Sequence, residues 1–326
     1  MRRVLSMASA RSRVTTCAIA MLALAPAAFG QATQTKKPAA PAPNAQAPTA
    51  TVDRIRATGT LKLGYRADAR PLSYMGEAGK PTGYSVELCE TLAEALKNVM
   101  SLPNLKVEWV QVTLENRFDA VQKGQVDVLC GADTATLERR QQVAFSIPIF
   151  PGGVGALVRS DASKQLQNIL LGRAREYTPT WRAVALNIVR EQTFTTVAGT
   201  TAAKWLEQRG QELQVQSRTV PVSTYDEGVA AVLNRQASAF FAERPVLLDA
   251  ARRHPSSDKL TVIDRQFTFE PLALVVRRGD EDVRLLVDRG LSRVFASPGF
   301  PTLYTKWFGK ADETAKNFFR WNVLPD

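Results

Sequence analysis

Residues 105–130 read LKVEWVQVTLENRFDAVQKGQVDVLC. Positions 105–112 predict a strand, 115–124 a helix closed by Gly124, and 126–130 a further strand. Working outward, LKLGYR (61–66) predicts a short buried strand, resumed at 72–74 after a loop, and GEAGKPTG (76–83) a turn-rich hairpin. In 85–99 the apolar residues Val86, Leu88, Leu92, Ala93 and Leu96 recur at helical spacing. The alternation resumes downstream, with strands at 194–199, 215–222 and 237–242 and helices at 200–210, 225–236 and 243–254. The expected class is α/β, one design used twice, each half a mostly parallel sheet flanked by helices. In such sheets ligands bind beyond the strand carboxyl ends, here between two facing domains.

The chain has 326 residues, 45% of them hydrophobic, which suits two domains and excludes a wholly disordered chain. One histidine and three cysteines leave little for a zinc centre, so neither a metal nor a cofactor is expected. His254, within ARRHPSSDK, reads as a loop residue. The net charge of +11 invites a nucleic-acid or membrane-surface reading, but its placement argues otherwise. Residues 1–32 read as a secretory signal: Arg2, Arg3, Arg11 and Arg13 precede an apolar run from Val14 to Ala25, and Ala28-Phe29-Gly30 supplies a small-residue exit. Residues 33–51, rich in Pro, Ala and Gln, read as a flexible tail carrying Lys36 and Lys37. A connection at 162–192 carries five basic and two acidic residues. Setting these segments aside leaves about +2 for the folded part, which is no nucleic-acid footprint.

From 52 to 308 the chain resembles the extracytoplasmic solute-binding proteins (family 3) of polar amino-acid ABC transporters. The matching strings are 54–66, 71–96, 115–131, 134–150 (TATLERRQQVAFSIPIF), 197–206 (VAGTTAAKWL), 227–248, 270–280 (EPLALVVRRGD) and YTKWFG at 304–309. The resemblance implies a two-lobed type II periplasmic-binding-protein fold with two hinge segments, near 148–153 and 268–272. Lobe one would comprise 52–150 with 271–326, and lobe two 151–270. It further implies a monomeric periplasmic protein that delivers an amino acid to an inner-membrane permease, and no catalysis. Two alternatives stand beside this: an enzyme on the same scaffold, like the cyclohexadienyl dehydratases, and a sensory solute receptor.

An amino-acid zwitterion needs a fixed cation for its carboxylate and a carboxylate for its ammonium. By resemblance Arg139 clamps the α-carboxylate, with Thr134 as its hydroxyl partner, and Arg140 reads as a surface residue. Thr200 and Thr201 open a helix whose free N–H groups favour an anion. Glu243 takes the position of the ammonium-binding aspartate, one methylene longer, or else caps the following helix. Arg66 and Arg117 match the two arginines of glutamate/aspartate binders. Two arginines facing one pocket repel unless an anion lies between them, so an acidic side chain is the expected guest. Leu114, Ala132 and Tyr225 replace the hydroxyl and imidazole groups of that pocket, and Ala69 replaces the aromatic platform of other binders. Cys89 and Cys130 are the only cysteines beyond the signal; export makes a disulfide between them reasonable, and two separate buried thiols remain open. The 162–192 connection reads either as a docking surface for a permease or as a packed elaboration.

Overall fold

The alternation of apolar strands with amphipathic helices condenses into two five-stranded sheets and a small three-stranded one. The computed structural model describes residues 51–173, 188–215 and 217–325. The expected signal segment, all of the tail before Thr51, and residues 174–187 of the long connection, Trp181 among them, lie outside the described residues.

In chain order, β1 (Thr60–Arg66) is followed by the short strands β2 (Asp68–Ala69), β3 (Ser73–Met75) and β4 (Pro81–Thr82), then by β5 (Lys106–Val112), β6 (Val128–Thr134) and β7 (Val143–Gly152). The chain then enters the second lobe with β8 (Val154–Arg159), β9 (Thr193–Val197), β10 (Arg218–Val222), β11 (Ala239–Glu243) and β12 (Leu260–Val262), and it returns with β13 (Glu270–Arg277). The sheet orders are β5-β1-β6-β13-β7 and β10-β9-β11-β8-β12, while β2, β3 and β4 form the small sheet.

Strands β5, β1 and β6 are parallel, and β13 runs antiparallel to both β6 and β7. In the second lobe β10, β9 and β11 are parallel, and β8 opposes both β11 and β12. Each sheet thus has a single reversed strand, the one that carries the chain in from the other lobe. The other strands of each sheet aim their carboxyl ends at the crevice between the lobes.

Burial follows from helices lying on both faces of these sheets. Within β6, Val128 and Cys130 join the core built by the helix Tyr84–Val99, whereas Leu129 joins the one packed under the helix Arg117–Gln122. The crossings touch at Gly153, where a Cβ would stand 1.9 Å from the Thr268 carbonyl oxygen, so only glycine lets these two backbones meet. Val154 N–H donates to Thr268 Oγ1 at 2.9 Å and Gln266 Nε2 to the Gly152 carbonyl at 2.7 Å, which laces the crossings together.

Cys89, on the helix Tyr84–Val99, is disulfide-bonded to Cys130, which lies within β6 rather than at its end. The two are 41 positions apart, and closing a loop of that length in the unfolded chain contributes about 4 kcal/mol. Replacing both cysteines by alanine should lower the unfolding free energy by about 3–4 kcal/mol in a denaturant titration. An unchanged midpoint would contradict a stabilising bond.

Candidate functional site

Every expected site residue sits at a strand end or in the turn or helix start that follows one. Arg66 ends β1, Thr134 ends β6 and Glu243 ends β11, while Arg117 opens the helix after β5. Arg139 lies in the short turn Arg139–Gln141, Thr201 opens the helix Thr201–Leu213, and Tyr225 opens the helix Tyr225–Leu233. All eight of the expected ligand residues (Arg66, Arg117, Thr134, Arg139, Thr200, Thr201, Tyr225 and Glu243) line one cavity between the two sheets, together with Ala69 and Leu114.

Arg66 and Arg117 are each bonded to a carboxylate of the chain itself. Arg66 donates from Nε and Nη2 to Asp68 at 2.9 and 2.7 Å. Arg117 donates from Nε to Asp133 Oδ1 at 2.6 Å, and both side chains of that pair are buried. A guanidinium taken out of water is costly unless it is paired, which is why acids accompany both. Burial works to lower the Arg66 pKa, but Tyr225 and Asp68 outweigh it and raise it. Among the described residues the Arg139 side chain makes one hydrogen bond, from Nη1 to the Thr134 carbonyl at 2.9 Å, and burial lowers its pKa. Arg117 and Arg139 flank the same ring, their guanidinium carbons 4.1 and 5.5 Å from the centroid of Phe118.

Glu243 stands at the N-cap position of the helix that follows it, but its side chain makes no capping hydrogen bond there. Its Oε2 accepts from Gly153 N–H at 3.0 Å and its Oε1 from Thr134 Oγ1 at 3.3 Å, so this lobe-two carboxyl holds both the crossing and the end of β6. Burial, with the charge of Glu270 adding to it, pushes the Glu243 pKa up to about 7. Glu270, at the start of β13, accepts from Thr268 Oγ1 at 2.6 Å through Oε1. Its Oε2 is buried with no hydrogen-bond partner among the described residues.

Thr200 is the cap of its helix: Oγ1 accepts from Ala203 N–H at 3.2 Å and donates to the Val197 carbonyl at 2.7 Å. Glu138 and Lys204 form an ion pair across the cleft mouth, and Arg70 meets Asp249 at 3.2 Å elsewhere between the lobes. The lobes are therefore held together by side chains on both sides of the crevice.

Asp68, Asp133, Phe118 and Glu270 were not among the expected site residues. For Asp133 a signal existed: a charged residue inside the apolar run VDVLCGADT requires a partner wherever that strand is buried. His254 is remote from the cavity, and its Nδ1 accepts from Ser256 N–H at 3.0 Å. Among the described residues no cluster of His, Cys, Asp and Glu forms a metal site.

Residues 61–310 match the model of the bacterial extracellular solute-binding proteins, family 3. The chain is 31% identical over 261 residues to the L-glutamate/L-aspartate-binding protein of Pseudomonas aeruginosa, covering 80% of each. It is 25% identical over 259 residues to the glutamate/aspartate import solute-binding protein of Escherichia coli, covering 79% of each. Among solved structures, an ancestral amino acid-binding protein described as a precursor of cyclohexadienyl dehydratase superposes with a TM-score of 0.64 at 26% identity, over 79% of this chain and 99% of that one. A solute receptor for L-cysteine from Neisseria gonorrhoeae gives 0.64 at 21% identity, over 81% and 98%, a likeness of fold alone.

The Glu243 carboxyl makes a prediction about pH. An unfolded glutamate titrates near roughly 4.3, so between there and about 7 the folded chain binds more protons than the unfolded one. The contribution of this group to stability therefore falls as pH rises through that window, by about 4 kcal/mol at most. Glu243→Gln removes it. Denaturation midpoints at about pH 5 and about pH 8 should differ more for the parent chain than for this variant; parallel profiles would contradict a buried, protonated Glu243.

Proposed function

Because this chain belongs to family 3 of the bacterial extracellular solute-binding proteins, we propose that it captures an amino acid with an acidic side chain, of the glutamate/aspartate kind, between its lobes. In this reading it works in the periplasm and hands its ligand to an ABC permease in the inner membrane. The observation that carries it is the convergence of Arg66, Arg117 and Arg139 on one interlobe cavity.

Arg139 and the Thr134 hydroxyl take the α-carboxylate from lobe one, and the helix start at Thr200 and Thr201 takes it from lobe two, where N–H groups and the dipole favour an anion. Since the Thr200 hydroxyl already caps the helix, its part is to fix the direction of those N–H groups. Glu243 accepts from the ammonium. That ligand charge also lowers the Glu243 pKa, so binding releases a proton near neutrality. Arg66 and Arg117 face the side-chain carboxylate with the donors their aspartates leave over, beside Tyr225. Ligand contacts from both lobes favour the closed arrangement over an open one, and the two crossings are the hinge.

A second reading has its own observation. A carboxyl buried against a cavity with a pKa pushed up to about 7 has the form of a general acid, as an enzyme like cyclohexadienyl dehydratase requires. Incubation with prephenate or arogenate separates the two: aromatic product formation lost in Glu243→Gln supports the enzyme, and no product supports the binder.

Titration calorimetry with glutamate, aspartate, arginine and small dicarboxylates tests the main reading. Acidic amino acids should bind, Arg139→Ala should weaken them about 100-fold or more, and Arg66→Ala should weaken acids more than neutral amino acids. Preference for arginine, or silence toward every anion, would overturn it.

A further inference from the structure

The anion side of the cavity contains one group that an anion site alone does not call for. Asp133 is only 6% exposed and lines the cavity beside Gly131. Its Oδ1 is taken by Arg117, while Oδ2 is buried with no hydrogen-bond partner among the described residues. That oxygen lies over the Cα of Gly131, where a Cβ would stand 2.6 Å from it, so any larger residue there would displace it. Its charge acts on Arg66 and on Arg139 as well as on Arg117, the one to which it is bonded. A buried carboxylate oxygen left without a donor is costly, and a donor arriving with the ligand removes that cost.

We propose that Asp133 is a specificity-determining residue: it neutralises Arg117 and offers Oδ2 to an N–H or O–H of the bound ligand, which extends the ligand class from acidic amino acids to their carboxamides. This rests on the reading of the cavity as an amino-acid site. A side-chain carboxamide matches the pair Arg117–Asp133 on both atoms, its oxygen accepting from the guanidinium and its NH2 donating to Oδ2. A side-chain carboxylate accepts from the same guanidinium but has no hydrogen for Oδ2 and brings a like charge toward it. Arg66 offsets that repulsion for the acid, so the two classes bind with comparable strength.

Calorimetry with glutamate, glutamine, aspartate and asparagine, on the parent chain and on Asp133→Asn, is the test. The parent chain should bind glutamate and glutamine within about tenfold of each other, and Asp133→Asn should shift that ratio at least about tenfold toward glutamate. Should Asp133→Asn fail to unfold cooperatively, Asp133→Ser serves in its place, and the parent ratio is a test by itself. A parent preference for glutamate above about 1,000-fold, or a variant in which both ligands weaken equally, overturns the proposal while leaving the amino-acid reading standing. A parent chain that binds none of the four overturns the amino-acid reading itself.

Discussion

Placing guanidinium groups in the crevice between two sheets sets the terms for the rest of the molecule. An arginine there loses most of its water, and only a carboxylate close by makes the exchange tolerable. Asp68 and Asp133 provide this in different ways. Asp133 is buried inside β6, whereas the Asp68 side chain, bonded to Arg66 through both oxygens, is 45% exposed. Among the described residues Arg139 has no acid bonded to it and keeps the Thr134 carbonyl instead, so in the proposed reading its charge is the one left for an incoming carboxylate. The three cations are thus not equivalent, although they share a cavity.

Glu243 ties this electrostatics to the mechanics of the hinge. It reaches the N–H of Gly153 at the crossing and the hydroxyl of Thr134 on the opposite lobe, and burial keeps it partly protonated. In the proposed reading a ligand ammonium competes for the same carboxyl, so occupancy and hinge geometry would act on one group. The ion pair of Glu138 with Lys204 spans the cleft mouth next to Arg139. Being exposed, it is screened by salt and adds little by itself to closure.

Much of the architecture was legible in the pattern of residues, because strand and helix periods alternate cleanly from 61 to 99 and again from 105 to 130. The cavity lining was legible too, since strings such as DTATLERR and AGTT follow strand ends. What escaped was pairing across sequence distance. Arg117 and Asp133 stand 16 positions apart, and their meeting depends on how the helix Arg117–Gln122 docks against β6. The turn of Glu243 away from its helix start was hidden likewise, because its partner Gly153 is 90 positions earlier. Asp68 lies two residues from Arg66, yet its bond depends on the bend between β1 and β2.

The reversed strand β13 has a consequence for the order in which the chain is made. It sits between β6 and β7, strands that leave the ribosome long before it. Until residue 277 has emerged, the first sheet has a gap between β6 and β7, and Thr134 and Pro148 lack the neighbours that β13 gives them. The lobe whose synthesis begins first is the one completed last.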